Sequence, residues 1–318
     1  MAKKRLRTDR VIVSFLLLVI ICIFPADSVR RIICRYNGSY GSENAVVIRQ
    51  EGSIIQNITG NEDDSPDTEN KKTVFAVLEI YPSQLGVGEL VKVDNINPYT
   101  GTGHEDTATV DLVSYRNDYY TLINETDSVI LNINAADALN MMMKDYYEAT
   151  GQTNFLVYGT TDTYTGEGSY CPQFFPESVT GNTIDLAVNV GNSVLTYDGC
   201  DQEKWIIENC HKYGYILRFP AKKSEITGNE FCPWHLRYVG RVHAAAMKEL
   251  DYCFEEYLEF LSNYTFDRPL PYNLDGEMYY IYSVKYAGEI TTTYVSPSED
   301  YTVSGNNTDS FIITSEKF

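Results

Sequence analysis

FCPWHLRYVG, residues 231–240, is the stretch that decides the fold. We interpret it as a central strand of the sheet, because aromatic and aliphatic residues dominate it and a glycine follows. One of the four histidines of the chain, His235, lies on this strand beside a tryptophan, a setting typical of a metal ligand. The other three, in a turn or in helical segments, are interpreted as surface or packing residues: His104, His211 and His243.

Further segments predict an α+β fold of mostly antiparallel strands with helices packed against them. In TIDLAVNV, the residues Ile184, Leu186 and Val188 share one face, and Asp185 points to the other. A helix is expected from Asn134, as its cap, to Gly151. The other predicted strands are TVFAVLEI (73–80), ELVKVDNI (89–96), NFLVYG (154–159), YILRF (215–219) and FIIT (311–314).

Past residue 265 the sequence predicts a C-terminal β extension. MYYIYSVKY (278–286) and TTTYVS (291–296) are strand-like and are separated by Ala287-Gly288-Glu289. A short connection with a central glycine favours a hairpin. We therefore expect residues 266–318 to form a β-hairpin extension packed on the main domain.

The N-terminus predicts a signal peptide or signal anchor over residues 1–28. Lysines and arginines precede a nearly unbroken apolar run from Val11 to Phe24, and Ala26-Asp27-Ser28 has the small-x-small spacing of a cleavage site. The run is short for a membrane-spanning helix. Cleaved or uncleaved, the segment predicts an extracytoplasmic protein, secreted or membrane-anchored, with the membrane as a partner if it is retained.

Charge sets limits on partners. The chain has 44 acidic and 25 basic residues, a net charge of −19 at pH 7. Nucleic-acid binding needs a basic surface, so this composition excludes nucleic acid as a partner. Residues 29–72 are polar and acidic and predict a flexible stalk, because they offer little apolar surface to bury.

The block KWIIENCHKYGYILRFPAKKSEITGNEFCPWHLRYVGRVHAAAMKELDYCFEEYLEFL, residues 204–261, resembles the C-terminal half of VanY-type D,D-carboxypeptidases. The resemblance extends over residues 75–314. It implies a D-Ala-D-Ala carboxypeptidase-like fold, with the peptidase domain at 73–265. In that family, zinc is bound by a histidine and an aspartate of a Ser-x-His-x-x-Gly-x-Ala-x-Asp motif and by the histidine of the Trp-His pair.

Several functional positions depart from the family pattern. In PESVTGNTIDL (176–186) Asp185 matches the aspartate ligand, whereas Ser178 stands in place of the histidine ligand. Cys232 occupies the general-base position, where the family has glutamate. Thr161, in YGTTD, stands where the family has a substrate-binding arginine. Asp185 and His235 are thus the remnant of the metal site, and the resemblance places Thr161, Trp234 and Arg237 along the substrate groove.

Three interpretations of Cys232 remain. It could be a thiolate ligand in a Cys-His-Asp zinc set, because thiolate binds zinc well. It could form a nucleophilic dyad with His235, although residues three apart on a strand point to opposite faces. It could also be a buried residue or form a disulfide with Cys171, Cys200 or Cys210, which an extracytoplasmic location would permit.

The resemblance and its departures lead to two main hypotheses and a third. The first is an extracytoplasmic pseudo-peptidase of a Gram-positive bacterium, without a cofactor, that binds or senses peptidoglycan stem peptide. The second is an active zinc D,D-carboxypeptidase that removes terminal D-Ala with a rearranged site. The third is an interaction protein whose peptide groove is vestigial. The loss of a zinc ligand and of the general base favours the pseudo-peptidase hypothesis, because general-base catalysis alone is worth about 10²–10⁴-fold in rate.

Overall fold

The structure, a computed structural model, describes five ranges of the chain. The expected leader and stalk lie outside these ranges, and so do Thr161 and Cys171. The described residues are 75–101, 108–125, 128–158, 175–297 and 300–316.

Strands dominate the described part of the chain and are numbered here in chain order. They are β1 Ala76–Ile80, β2 Thr109–Asp111, β3 Thr121–Leu122, β4 Ile130–Asn132, β5 Phe155–Tyr158, β6 Thr183–Val190, β7 Ser193–Thr196, β8 Tyr215–Phe219, β9 Cys232–Tyr238, β10 Leu270–Leu274, β11 Glu277–Lys285, β12 Thr291–Val295, β13 Tyr301–Gly305 and β14 Ser310–Ser315.

The described part of the chain has fewer helices than strands. The helices are α1 Leu112–Tyr115, α2 Ile133–Thr150, α3 Lys204–Asn209, α4 Ser224–Thr227, α5 Arg241–Leu250 and α6 Phe254–Leu261, with 3₁₀ turns at Pro82–Gly86, Pro176–Thr180, Asp201–Glu203 and Cys210–Tyr213. Within the described ranges, none of these helices combines the length and the hydropathy that a membrane span requires.

A six-stranded sheet forms the centre of the molecule. Its strand order is β3-β5-β6-β9-β8, with β7 also paired to β6, and only the β3–β5 pair is parallel. The apolar residues Ile184, Leu186 and Val188 of β6 join the main core together with α2, as their alternation predicts. The α+β fold with mostly antiparallel strands is therefore confirmed.

The N-cap of helix α2 lies two residues earlier than the cap proposed from the sequence. Asn132, not Asn134, is the N-cap, and its side chain accepts a hydrogen bond from the Asn134 amide. Gly151 ends the helix in the left-handed conformation, at φ 72°, as expected. Asn132 and Asn134 are both asparagines, a residue type that favours the N-cap position. Asn132 becomes the cap because its own backbone already pairs with β2.

The stretch ELVKVDNI is not a strand, although its apolar residues Leu90, Val91 and Val93 are buried. The carbonyl oxygens of Glu89 and Val91 accept hydrogen bonds from the Arg237 guanidinium instead of from a neighbouring strand. The amides of Leu90 and Lys92 donate to Ser304 Oγ and to the Asn306 carbonyl. Because these contacts and Arg237 satisfy the backbone, the segment is buried without joining a sheet.

The predicted C-terminal hairpin is wrong. β11 pairs with β10 and β14, and β12 pairs with β1, so the two expected partners do not meet. The tight turn lies earlier, at Asp275-Gly276, where both residues have positive φ (54° and 95°). Asp-Gly is a strong signal for a two-residue hairpin turn, and here it decides the pairing of β10 with β11.

His243 of α5 links the main domain to the C-terminal sheet. One ring nitrogen lies 2.9 Å from the Tyr257 hydroxyl of α6 and the other 3.0 Å from the Thr314 hydroxyl of β14. Burial lowers the pKa of His243 to about 4. The residue is therefore a neutral packing element at pH 7.

This burial makes the stability depend on pH. In the folded protein His243 stays neutral down to about pH 4, whereas in the unfolded chain it takes up a proton below pH 6.5. The contribution of His243 to the free energy of unfolding is therefore fully present above pH 6.5 and is lost as the pH falls from 6.5 toward 4. Between pH 7 and pH 4.5 the wild type should lose about 2–3 kcal/mol more than His243→Asn, measured by urea unfolding. Parallel pH profiles of the two proteins would contradict this.

Candidate functional site

Two strands bring Asp185 and His235 together at the centre of the sheet. In the antiparallel pair β6–β9 the two residues are directly opposite each other. His235 Nδ1 lies 2.6 Å from Asp185 Oδ1, and the histidine is completely buried. The two surviving positions of the family's metal site thus form a direct hydrogen bond.

A third residue, Glu177, completes this site and is absent from the sequence-based candidates. It lies on the 3₁₀ turn Pro176–Thr180 and is itself buried. Its Oε1 is 3.1 Å from His235 Nε2, and its Oε2 accepts hydrogen bonds from Arg218 Nε at 3.0 Å and Arg237 Nη1 at 2.9 Å. One carboxylate therefore contacts three potential cations.

Charge balance explains why these residues can be buried together. Arg218 also forms a bidentate pair with Glu255 of α6, at 3.1 and 2.6 Å. Three basic and three acidic side chains make up this cluster, here called the Glu177 network: Asp185, Glu177, Glu255, Arg218, His235 and Arg237. Buried charges are tolerated when they are paired and hydrogen-bonded, as all six are.

The network shifts the pKa of its members in opposite directions. Burial alone would raise the pKa of Glu177, but Arg218, His235 and Arg237 outweigh it and hold that pKa far below its usual range. Burial alone would lower the pKa of His235, but Asp185 and Glu177 outweigh it and raise that pKa to about 9. At pH 7 His235 is therefore an imidazolium that donates from both ring nitrogens.

Aromatic rings enclose the histidine. The Phe175 and Phe219 ring centroids lie 4.2 Å and 5.5 Å from that of His235, and the Phe219 ring is stacked on it. The two phenylalanines also contact each other, at 4.8 Å. This apolar cover keeps water from the His235 ring and strengthens the electrostatic interactions beneath it.

Cys232, at the general-base position, is a buried free thiol at the start of β9. The proposed disulfide at this residue is therefore wrong; Cys200 is the described cysteine that is disulfide-bonded. Burial, followed by the negative charges of Asp185 and Glu230, raises the pKa of Cys232 to about 11. Both ring nitrogens of His235 contact carboxylates, so neither is available as the base of a Cys232–His235 dyad.

The donors present do not fit a zinc site. Ser178 is buried on the same turn as Glu177 and offers only a neutral hydroxyl in place of an imidazole. Of the family's ligand positions, only Asp185 and His235 carry zinc-binding side chains. Across the part of the chain that the structure describes, no three His, Cys, Asp or Glu side chains are placed to hold one metal ion.

Of the three residues that the resemblance places along the substrate groove, the structure describes two, and they differ in burial. Arg237 is completely buried, and its donors bind Glu177 and the backbone carbonyls of Glu89, Val91 and Tyr238, so it lies in the interior rather than on a groove wall. Trp234 is half-buried against the Phe175–Phe219 pair. Thr161 lies outside the described residues.

The sequence contained a signal for the Glu177 network. Arg218 in YILRF and Arg237 in WHLRY are arginines within strands whose other residues are mostly buried. An arginine is rarely fully buried without an acidic partner. Two such residues on neighbouring strands indicate a buried acid between them, although not which acid it is.

Comparison with known proteins gives consistent matches. The family model for VanY, D-alanyl-D-alanine carboxypeptidase, matches residues 177–241. A D-alanyl-D-alanine carboxypeptidase of Enterococcus faecium is 37% identical over 139 residues, 44% of this chain and 45% of that protein. The putative carboxypeptidase YodJ of Bacillus subtilis (strain 168) is 48% identical over 85 residues, 26% of this chain and 31% of that protein. The chain thus spans less than half the length of these relatives.

The fold comparison covers more of the chain. The crystal structure of the vancomycin-resistance D,D-dipeptidase VanXYg, in complex with a D-Ala-D-Ala phosphinate analogue, matches 76% of this chain and 98% of its own, with a TM-score of 0.61 and 20% identity. At that identity the match concerns the fold alone. The family-model match, which contains the strands that carry Asp185 and His235, and the curated relatives support membership of the VanY-type D-alanyl-D-alanine carboxypeptidase family.

Proposed function

We propose that this protein is a non-catalytic VanY-type protein that binds peptidoglycan stem peptide outside the membrane of a Gram-positive bacterium. The observation that carries the proposal is the direct Asp185–His235 hydrogen bond, with Ser178 and Cys232 at the other two functional positions. A zinc peptidase needs three protein ligands, an open position for water and a base to take the proton from that water. Two ligands without that base do not meet this need.

A cavity beside the network supports the peptide-binding part of the proposal. It has a volume of about 240 Å³ and lies against Glu177 and Arg218, with Phe175 and Phe219 in its wall. Its lining also includes four polar side chains, those of Asp94, Asn95, Thr227 and Asn229. Ligand sites combine aromatic side chains with polar groups that fix the orientation of the ligand. VanXYg, which shares the fold, was crystallised with a D-Ala-D-Ala analogue.

One observation favours the second candidate, an active zinc D,D-carboxypeptidase that removes terminal D-Ala. Glu177 holds His235 Nε2, the arrangement in which carboxylates orient zinc-binding histidines. In that case Asp185 and His235 would be two of the ligands, and zinc would act as the Lewis acid of the reaction. Restoring a third ligand would require a change at Ser178.

Zinc content and D-Ala release decide between the two candidates. Purified protein, dialysed against excess zinc and then buffer, should retain less than about a tenth of an equivalent of zinc. Its release of D-Ala from a D-Ala-D-Ala pentapeptide should be at least about a hundredfold slower than that of the Enterococcus faecium relative. Stoichiometric zinc together with D-Ala release would establish the active enzyme instead.

Peptide binding is measured separately, on the metal-free protein. Titration of a D-Ala-D-Ala pentapeptide should give saturable binding that Phe175→Ala weakens, because Phe175 lines the cavity. Phe260→Ala, an aromatic change outside the cavity wall, should leave the affinity unchanged. Absence of binding would remove the peptide ligand and leave the interaction role that the sequence also suggested.

A further inference from the structure

The cavity beside the Glu177 network, called here the Phe175 cavity, carries charges that bear on the kind of peptide end it accepts. Among the described residues of its lining, two acidic side chains and one basic side chain are ionisable: Asp94, Glu177 and Arg218. The lining therefore has one more negative than positive group. The partners of these groups decide which charge a ligand meets.

The charge of Arg218 is already matched by two carboxylates. Its Nε donates to Glu177 at 3.0 Å, and its two terminal nitrogens donate to Glu255 at 3.1 and 2.6 Å. The guanidinium carbon also lies 4.7 and 5.1 Å from the ring centroids of Phe219 and Phe254. Because the Glu177 network pairs three basic with three acidic side chains, it has no surplus cation for a ligand.

Asp94 adds a negative charge to the lining. Its Oδ1 accepts hydrogen bonds from the amides of Ile96 and Asn97, at 2.8 and 2.7 Å. Burial alone would raise the pKa of Asp94, but these hydrogen bonds outweigh it and hold that pKa below its usual range. The side chain is therefore ionised at pH 7. Lys92 Nζ lies 3.3 Å from Asp94 Oδ2, so the charge of this lysine is matched as well.

The sequence directly before Phe175 adds no cation either. Residues 159–174 contain two acidic residues, Asp162 and Glu167, and neither lysine nor arginine. An anion that enters a site without an uncompensated cation loses its hydration and gains no opposite charge in return. The free carboxylate of a peptide is therefore a poor match for the Phe175 cavity.

Uncharged amide groups match the polar part of the lining better. Asn95 and Asn229 both contribute side-chain amides to it. The Asn229 amide nitrogen donates to the Thr227 carbonyl at 3.1 Å, which leaves the Asn229 amide oxygen to accept from a ligand. A peptide amide can supply that N–H, whereas an ionised carboxylate only accepts hydrogen bonds.

We propose that the Phe175 cavity takes a peptide whose end is an amide rather than a free carboxylate, which rests on the proposed function because both concern one site. The amide N–H of the ligand donates to the side-chain oxygen of Asn229, and its apolar side chain packs on Phe175 and Phe219. Two sources share this chemistry, a C-terminal carboxamide and a peptide bond that continues into a further residue.

Isothermal titration of the full-length, metal-free protein tests the proposal with three peptides of one sequence. They end in D-Ala-D-Ala with a carboxylate, a carboxamide or an N-methylamide, in about 0.15 M NaCl so that exposed charges are screened. The carboxamide should bind at least about tenfold tighter than the carboxylate. An N-methylamide that binds as tightly as the carboxamide shows that the chain can continue past the cavity, and weaker binding restricts the ligand to a primary carboxamide.

The outcomes separate this proposal from the proposed function. Equal affinity for the carboxamide and the carboxylate, or tighter binding of the carboxylate, would overturn the preference for an amide and leave peptide binding intact. If none of the three peptides binds, the peptide-binding function fails and the preference fails with it.

Asp94→Asn tests the role of the charge in the lining. The variant keeps an oxygen for the Ile96 and Asn97 amides, removes the negative charge and releases Lys92. The preference for the carboxamide should fall by at least about threefold. The matched control, Asp267→Asn, makes the same change at an exposed residue outside the lining and should leave the preference unchanged. Equal effects of the two variants would assign the preference to the acidic surface as a whole and overturn the proposal.

Discussion

Glu177→Gln is expected to lower the free energy of unfolding by about 3–5 kcal/mol, measured by urea denaturation at pH 7. The substitution keeps the size of the side chain but removes its charge. Arg218 would retain Glu255, whereas Arg237 and His235 would each lose a buried charged partner. Removing one member of a buried ion pair costs this much because the remaining charge cannot return to water.

Glu148→Gln provides the matched control. Glu148 pairs with Lys144 on the exposed face of α2, at 3.0 Å, and both side chains are more than half exposed. Because water screens such a pair, this substitution should cost less than about 1 kcal/mol. Equal effects of Glu177→Gln and Glu148→Gln would show that the Glu177 network does not stabilise the fold.

The double variant Ser178→His with Cys232→Glu is expected to raise zinc affinity by more than about a hundredfold, which would take the protein from nearly metal-free to one equivalent. It restores a third ligand beside Asp185 and His235 and returns a carboxylate to the general-base position. Metal analysis after dialysis, followed by competition with a chelator, gives the measurement.

A control double variant, Ser178→Asn with Cys232→Gln, introduces larger polar side chains that are poor zinc ligands. It should remain metal-free, so that any gain belongs to the imidazole and the carboxylate. If the wild type already binds one equivalent of zinc, or if the restored variant binds no more than the control, the loss of the zinc site is not due to these two positions.

The central sheet could be predicted because its signals are local. The alternation along β6 and the density of large apolar residues in β8 and β9 are properties of single strands. The C-terminal pairing could not be deduced from strand propensity, because β11 and β12 are both good strands and either could pair with several partners. Only the Asp275-Gly276 turn carried information about which strands meet.

The site was predictable in part. Asp185 and His235 were identified from the family pattern, and the structure brings them within a hydrogen bond. Glu177 was missed because it occupies a position that the family motif leaves unspecified, one residue before Ser178. Its role depends on Arg218 and Arg237, which come from strands far along the chain. Arg218 and Arg237 meet at Glu177 because β8 and β9 are neighbours in the sheet. Local sequence patterns do not specify that strand order.

The pairing of Asp185 with His235 across β6 and β9 also has a consequence for how the chain folds. Side chains alternate along a strand, so a slip of one residue would turn His235 and Arg237 toward the apolar core of Leu186 and Val188. Each charge buried without its partner in the shifted register would cost several kcal/mol of folding free energy, a penalty that strands with apolar side chains alone would not have. The Glu177 network therefore favours the native register of β6 and β9 over a register shifted by one residue.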